Sequence, residues 1–238
     1  MARNFCVLTV GRAGSTSFME SLAKVAGIAL PETNVKSDDN ELVHPRNVAR
    51  YLTEYARLAG RKIANQRELI DAFYELNAKA QYAGFKSMPN RHSDLAQFTA
   101  RKDIRFITVQ RRDVASTAAS FHRANETGSW RRHGEPRPDS WTFDEASDGD
   151  RVRSNVSYIH QSRRQLAAIP GAIHLEYEDL CDRKYSSKAL DEFFGRPIRL
   201  LDPKPPTDGS SYVTNWEEFK KDSDAKLTEV EKDLDAAF

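Results

Sequence analysis

The sequence predicts an α/β protein in which helices cover both faces of a central parallel sheet, a three-layer α/β/α arrangement. Four short apolar runs rich in β-forming residues are typical of buried strands, and they occupy residues 5–10, 83–88, 104–110 and 172–177. The segments between them carry apolar residues at helical spacing. This alternation is typical of crossover connections, which join parallel strands. We therefore expect the carboxyl ends of the strands to share one edge, where such sheets bind their ligands.

Length and composition indicate one ordinary globular domain. The chain has 238 residues, of which 39% are hydrophobic and 30% charged, as suits a protein with a substantial core. We expect a single domain over residues 1–238. It includes a helical insert at about 46–80 and closes on an acidic helix at about 217–238, which we expect to be a solvated tail.

Charge and cysteine usage argue against several classes of protein. The net charge of +1 gives no global reason to bind nucleic acid or an anionic membrane. No apolar run is long enough to span a bilayer, and the first strand follows Met1 closely, without the pattern of a signal peptide. The two cysteines, Cys6 and Cys181, favour free thiols in a reducing compartment. We expect a cytoplasmic protein.

The first helix is predicted directly after the first strand. Its apolar residues Phe18, Met19 and Leu22 recur at helical spacing, and Gly27 marks its end. Four further helices are expected over residues 48–80, 114–121, 152–169 and 184–194. Residues 124–150 and 197–215 are rich in loop-forming residues, and the first of these is a long loop of the kind that often covers a site.

The turn between the first strand and the first helix has the character of an anion site. Residues 11–16 read Gly-Arg-Ala-Gly-Ser-Thr, so a turn rich in glycine and hydroxyl groups opens into a helix. Free N–H groups at a helix N-terminus bind anions, and the Arg12 guanidinium can pair with a phosphate there. This is not a Walker A loop, because two rather than four residues separate Gly11 from Gly14 and no lysine follows.

A second turn of similar character follows the strand at 104–110. Arg112 leaves this strand, and Ser120 lies about two helical turns into the next element. Both side chains can reach one phosphate on the inner face of that helix. The neighbouring Arg111 points to the opposite face if the strand alternates, so the spacing favours Arg112. Two such turns on one edge predict a ligand with two separated phosphates.

Together and in this order, the two motifs resemble those of the sulfotransferases that use 3′-phosphoadenosine 5′-phosphosulfate. That family has a loop of the type Lys/Arg-x-Gly-Ser/Thr-Thr/Ser, and later a strand followed by Arg-Asp-Pro, with a serine eight residues after the arginine. Val114 stands where the family commonly has proline. The resemblance spans roughly residues 4–195 and includes the segment Glu176–Leu180. Arg12 makes the loop more similar to carbohydrate sulfotransferases and to bacterial relatives such as the nodulation-factor and trehalose enzymes.

The resemblance implies a P-loop-NTPase-like fold and a donor nucleotide that is held at both ends. It places the 3′-phosphate at Arg112 and Ser120, and the 5′-phosphosulfate at the first loop. The loop residues implied are Arg12, Ala13, Gly14, Ser15, Thr16 and Ser17. It implies transfer of the sulfuryl group, without a metal, to a hydroxyl of a carbohydrate or a similar polar acceptor. Arg12 is then also catalytic, because it stabilises charge on the leaving phosphate.

The acceptor hydroxyl needs a general base. Glu32 is the first candidate, because several carbohydrate sulfotransferases have a catalytic glutamate in the corresponding region, and His44 is the second. Three weaker candidates are His92, Asp94 and His122. Lys86 is a candidate for binding the sulfate or an anionic acceptor, although an ordinary exposed position fits it equally well. Arg131 is a candidate for binding a sugar or an acidic acceptor, although its surroundings are slightly more typical of a solvated loop.

Two other functions stay open on the sequence alone. A nucleotide or metabolite kinase with a degenerate P-loop needs a metal-holding aspartate at a strand end, and Asp179 comes nearest. A non-catalytic nucleotide-binding protein would keep the pocket without the base. The arginine-rich block at 105–137 lacks the interleaved aromatic residues of a nucleic-acid groove, so the expected partner is a small-molecule or glycan acceptor. The acceptor's identity and the oligomeric state are left open.

Overall fold

A computed structural model describes residues 3–31, 40–127, 140–201, 209–211 and 213–236. In these ranges the chain forms one sheet with the strand order β2-β3-β1-β4-β5, and every neighbouring pair is parallel. The strands are β1 (Arg3–Thr9), β2 (Ile28–Ala29), β3 (Tyr82–Ser87), β4 (Ile104–Gln110) and β5 (Ile173–Glu176). The predicted parallel α/β architecture is therefore confirmed.

Helices connect the strands and close the chain. They are α1 (Ser15–Leu22), α2 (Pro45–Ala59), α3 (Gln66–Leu76), α4 (Leu95–Thr99), α5 (Val114–Thr127), α6 (Glu145–Ala167), α7 (Tyr177–Cys181), α8 (Lys188–Phe194) and α9 (Trp216–Ala236). Two short 3₁₀ turns lie at Pro89–Arg91 and Gly209–Ser211. No helix within the described ranges combines the length and the apolar character that crossing a membrane requires.

The sheet separates two apolar clusters, which makes the fold three-layered. Alternate residues of β1 point to opposite faces. Phe5 and Val7 pack with α1, α7 and α8, whereas Cys6 and Leu8 pack with the larger layer of α2 to α6 and α9. Because β1 is buried on both faces, its sequence is almost continuously apolar, and this made it recognisable.

Several elements differ from the sequence-based expectations. The helix predicted over 48–80 is two helices, because Asn65 accepts a hydrogen bond from the Glu68 amide and starts α3 anew. The loop expected at 124–150 is shorter, since α5 continues to Thr127 and α6 begins at Glu145. Asp144 caps α6 by accepting from the Ala146 amide. The short elements β2, α4 and α7 were missed, since two to five residues carry too little periodicity to detect.

The acidic C-terminal helix is not the solvated tail that its charge suggested. Phe219 of α9 is fully buried, and its ring centroid lies 5.3 Å from that of Phe143 and 5.9 Å from that of Trp141. Val230 is also buried. The apolar residues of α9 are sparse but lie on one side, so the helix forms part of the larger layer. Most of its acidic residues are exposed, whereas Asp222 is partly buried and pairs with Lys226.

The connections reverse direction next to β1. The helix that follows β1, α1, covers one face of the sheet, while the helix that follows the adjacent β4, α5, covers the other. Adjacent parallel strands whose helices leave on opposite faces open a crevice at their carboxyl ends, and α/β sheets bind ligands in such crevices. The residues that follow β1 and β4 at this edge, 10–17 and 110–120, are therefore the candidates for a ligand site.

Candidate functional site

The loop after β1 presents an open helix N-terminus. Gly14, with φ 75°, is the N-cap of α1 and provides no side-chain oxygen to occupy the first-turn amides. Arg12 also has a positive φ, 67°, which is uncommon for a residue other than glycine. Strained backbone of this kind is concentrated at ligand-binding loops. No N-cap side chain occupies the first-turn amides of α1, and uncapped helix N-termini of this kind bind anions.

Two aromatic rings fix the shape of this loop. A Cβ atom on Gly14 would overlap the ring of Tyr177 at the start of α7, and one on Gly11 would lie 2.7 Å from Cε2 of Phe121 on α5. Neither position tolerates a side chain without rearrangement. The two glycines therefore let α5 and α7 close on the loop from opposite faces of the sheet.

Arg12 reaches across the crevice to α5. Its Nε donates a hydrogen bond to Ser120 Oγ at 2.9 Å, and the pair is partly buried. The structure thus brings together two residues that the sequence placed in separate phosphate sites. A hydroxyl that accepts from Arg12 can still donate its own proton, so Ser120 can contact an anion beside the guanidinium.

Arg111 and Arg112 differ in exposure, although both follow the end of β4 and both lie near carboxylates of α7. Arg111 is 8% exposed, and its Nε lies 3.8 Å from Glu178 Oε1. Arg112 is about half exposed and pairs with Asp179 of α7, while its backbone amide donates to the Glu178 carboxylate. Ser120 bonds to Arg12, so Arg112 and Ser120 have separate partners in this state.

The second turn, unlike the first, is capped by a side chain. Asp113 Oδ1 accepts from the Ser116 amide at 2.8 Å and caps α5. Arg163 of α6 donates to the carbonyls of both Arg111 and Arg112, at 2.6 and 2.8 Å. A phosphate near Arg112 would therefore be held by side chains, and Arg112 and Ser120 are the two that the sequence proposed for it.

The C-terminal turn lies against this second turn. The Gly209 amide donates to Ser116 Oγ at 3.1 Å, and Gly209 packs so closely on the Trp216 ring that a side chain would overlap it. The sequence raised the possibility that this segment closes over a nucleotide. The described part of it, Gly209–Ser211, does reach the first turn of α5.

Lys86 is buried rather than exposed, and its partner is a residue that sequence reasoning missed. Lys86 Nζ lies 3.3 Å from Glu41 Oε1, and the two residues are 2% and 6% exposed. The Lys86 amide also donates to the Asn40 carbonyl, so residues 40–41 extend along the carboxyl end of β3. Glu41 stands in a polar stretch without periodicity, and only the fold shows that it is buried.

The second carboxylate oxygen of Glu41 is the notable feature of this pair. Glu41 Oε2 is buried and has no hydrogen-bond partner within the part of the chain that the structure describes. An unsatisfied buried polar atom costs about 1–3 kcal/mol, and more when it is charged. Such an atom, at the ligand-binding edge, is the arrangement expected of a group that receives a substrate hydroxyl.

The base candidates named from the sequence divide into three groups. Glu32, like Arg131, lies outside the described residues. His44 is half-buried immediately before α2, and its carbonyl accepts from the Val48 amide at 2.9 Å. The other three candidates, His92, Asp94 and His122, have structural contacts.

The contacts of Asp94 and His92 are structural ones. Asp94 caps α4 by accepting from the Gln97 amide at 2.8 Å. His92 bonds to Ser87 Oγ and to Gln66, stacks on Phe98, and has its pKa lowered to about 4 by burial.

His122 is more deeply buried than His92. It is 2% exposed, and its ring stacks on that of Trp141 at a centroid distance of 4.5 Å. Burial is the main influence on its pKa and lowers it, although nearby Asp148 acts in the opposite direction. Both histidines therefore pack between structural elements, His92 among β3, α3 and α4, and His122 against Trp141.

No protein-family model matches this chain, and no curated protein is significantly similar to it in sequence. Its function is therefore inferred from the geometry of the site and from the two motifs.

Proposed function

We propose that the protein is a sulfotransferase. It moves a sulfuryl group from 3′-phosphoadenosine 5′-phosphosulfate to a hydroxyl of a carbohydrate or a similar polar acceptor. The observation that carries the proposal is the Arg12–Ser120 hydrogen bond, which crosses the crevice between β1 and β4 beside the open N-terminus of α1. A P-loop-NTPase-like fold is part of the proposal, supported by the central position of β1 in the parallel sheet.

The two ends of the donor have separate binding groups. The 5′-phosphosulfate meets the amides of residues 14–17 and the Arg12 guanidinium, because both donate to anionic oxygens. The 3′-phosphate meets Ser120, which retains a donor proton, and Arg112, whose side chain is exposed enough to exchange Asp179 for the ligand. Arg163 donates to the carbonyls of the turn that carries Arg112, and this turn keeps Arg112 near α5, the helix of Ser120.

Sulfuryl transfer resembles phosphoryl transfer, in which the protein mainly positions the reactants and stabilises charge. The bond to sulfur breaks as negative charge grows on the leaving 5′-phosphate. Donors fixed in place before the reaction stabilise that charge without reorganising. Arg12, which is hydrogen-bonded to Ser120, is suited to that role, as are the amides at the start of α1.

The acceptor proton needs a base on the other side of the sulfur. In the described part of the chain Glu41 is a carboxylate suited to this role, because its Oε2 is buried and unpartnered while Oε1 is held by Lys86. A fixed carboxylate at the ligand-binding edge can accept a proton from the attacking hydroxyl. Glu32 and His44 stay alternatives that the sequence proposed.

The donor site is tested by thermal unfolding in EDTA with 3′,5′-adenosine bisphosphate. A ligand at one hundred times its Kd stabilises the folded state by about 2.7 kcal/mol, which corresponds to a rise in Tm of roughly 5–10 °C. Arg12→Ala should abolish the rise. Arg105→Ala is the matched control, because Arg105 is an exposed arginine near the amino end of β4.

The opposite result would favour the kinase. A rise in Tm with ATP and Mg²⁺, together with none for the bisphosphate, would contradict the sulfotransferase proposal. At present the structure gives the kinase little support, because Asp179, its candidate metal ligand, is paired with Arg112.

A further inference from the structure

A second polar cluster lies next to the phosphate-binding loop. The Phe121 ring that abuts Gly11 also contacts the Tyr158 ring of α6, with 5.6 Å between the centroids. Burial raises the pKa of the Tyr158 hydroxyl, and Arg91 and Glu41 influence it in opposite directions. Glu41 pairs with Lys86 of β3, and Arg91 ends the turn that follows β3, so both residues lie at the carboxyl end of this strand. That turn contacts α6, the helix of Tyr158, and we call Glu41, Arg91 and Tyr158 the Arg91 cluster.

Arg91 is placed there by the fold. It ends the 3₁₀ turn that follows β3, so it stands at the same sheet edge as the loop after β1, and this turn packs against α6. Its Nε is buried and has no hydrogen-bond partner among the residues that the structure describes. A guanidinium has only donors and cannot lose its charge, so a buried Nε–H of this kind calls for an acceptor.

Other arginines of the chain have their guanidinium N–H groups paired with carboxylates. Arg101 bonds to both Asp71 and Asp103, and Arg61 pairs with Glu75. The carboxylate of the Arg91 cluster, Glu41, is already paired with Lys86. The cluster thus keeps an excess positive charge beside an unpartnered carboxylate oxygen.

We propose that Arg91 binds an anionic group of the acceptor, so that the substrate is a hydroxyl compound that also carries a carboxylate, phosphate or sulfate ester. This rests on the proposed function and narrows it to one class of acceptor. The acceptor's anion pairs with Arg91, and its hydroxyl lies at Glu41 Oε2. Lys86, which the sequence suggested for this role, is paired with Glu41, and Arg131 stays a candidate outside the described residues.

The test compares three probes of matched shape: methyl glucoside, methyl glucuronide and glucose 6-phosphate. Their binding to the full chain is measured by isothermal titration, with and without 3′,5′-adenosine bisphosphate. A charge-assisted pair with a guanidinium should make at least one acidic probe bind about tenfold or more tightly than methyl glucoside. The two acidic probes distinguish a carboxylate site from a phosphate site.

Arg91→Gln should remove this preference and leave the thermal response to the bisphosphate unchanged, which also shows that the variant folds. Arg57→Gln, at an exposed position on α2, is the matched control and should keep the preference. Equal binding of neutral and acidic probes, no binding of any probe, or a preference that survives Arg91→Gln would overturn the proposal.

The outcomes separate the two proposals. If the acidic probe binds through Arg91 but the bisphosphate does not bind, the anion site stands and the sulfotransferase assignment fails. If the bisphosphate binds through Arg12 while the probes show no dependence on Arg91, the donor site stands and the anionic acceptor is rejected.

Discussion

At the scale of single residues, the site depends on polar atoms that lack ordinary partners. Glu41 Oε2 and Arg91 Nε are both buried and unsatisfied within the described chain. Proteins pair almost all such atoms, because each exception lowers the stability of the folded state. Exceptions at a ligand-binding edge are therefore the atoms most suited to contact a substrate.

Glu41→Gln should separate catalysis from binding. The amide keeps the shape of the side chain but cannot take a proton, so sulfuryl transfer should fall about 100-fold or more if Glu41 is the base. The response of Tm to 3′,5′-adenosine bisphosphate should be retained. Transfer is measured as a mass increase in an acceptor panel supplied with the sulfate donor.

The corresponding changes at Glu32 and His44 serve as comparisons. Unchanged turnover in Glu41→Gln, together with loss in Glu32→Gln or His44→Gln, would move the role of base to that residue. A wild-type protein that binds the bisphosphate but transfers sulfate to no acceptor would instead be a non-catalytic nucleotide-binding protein.

His92 should make the folded protein sensitive to mild acid. Burial lowers its pKa from 6.5 to about 4, so the unfolded state binds a proton in this range that the folded state does not. Above pH 6.5 His92 is neutral in both states and costs no stability. As the pH falls to about 4, proton binding by the unfolded state lowers the free energy of unfolding by up to about 3 kcal/mol.

The measurement is the free energy of unfolding by urea at pH 7 and at pH 4.5, for the wild type and for His92→Gln. The variant loses polar contacts and is less stable at both values, but its loss between them should be clearly smaller. An equal decrease in both proteins would show that His92 does not cause the acid sensitivity.

At the scale of secondary-structure elements, the turn between β1 and α1 joins the two helical layers. Tyr177 of α7 packs on Gly14, and Phe121 of α5 packs on Gly11. The turn is therefore held from both faces of the sheet, although its own backbone is strained at Arg12. Packing by neighbouring elements keeps the α1 amides directed at the crevice.

Gly14→Ala should destabilise the protein more than its backbone angle alone explains. Gly60 has a similar positive φ of 65°, but nothing lies within 4 Å of the site of its Cβ, so Gly60→Ala measures the cost of the angle, about 1–2 kcal/mol. Gly14→Ala adds the overlap with Tyr177. It should lower the unfolding free energy further and abolish the response to the bisphosphate.

Urea unfolding of the two variants provides the comparison. The double variant Gly14→Ala, Tyr177→Ala should recover part of the difference in stability, since it removes the overlapping ring. Equal destabilisation by Gly14→Ala and Gly60→Ala would contradict the role given to Tyr177.

At the scale of the whole molecule, the sequence was sufficient for the kind of fold but not for its arrangement. The strand at 104–110 was predicted with its observed ends, because both of its faces are buried and its residues are β-forming. The strand order was not predictable, since no local pattern records which strands become neighbours. The prediction that α9 is a solvated tail was wrong, because its few buried residues are outnumbered by charged ones.

The candidate site shows the same division. The loop of residues 11–17 is contiguous, so its motif was visible in the sequence. Glu41 and Arg91 are fifty residues apart, and the fold brings them to one edge through β3. The Arg12–Ser120 hydrogen bond likewise depends on α5 crossing beside β1, which only the three-dimensional structure reveals.

The most direct test of the central claim is a crystal structure with 3′,5′-adenosine bisphosphate. The 5′-phosphate should lie within about 2.7–3.2 Å of amides in residues 14–17 and of Arg12. The 3′-phosphate should contact Ser120 Oγ and Arg112, which leaves Asp179. A nucleotide bound away from the β1–β4 crevice, or Arg12 and Arg112 directed to different sides of the protein, would contradict the claim.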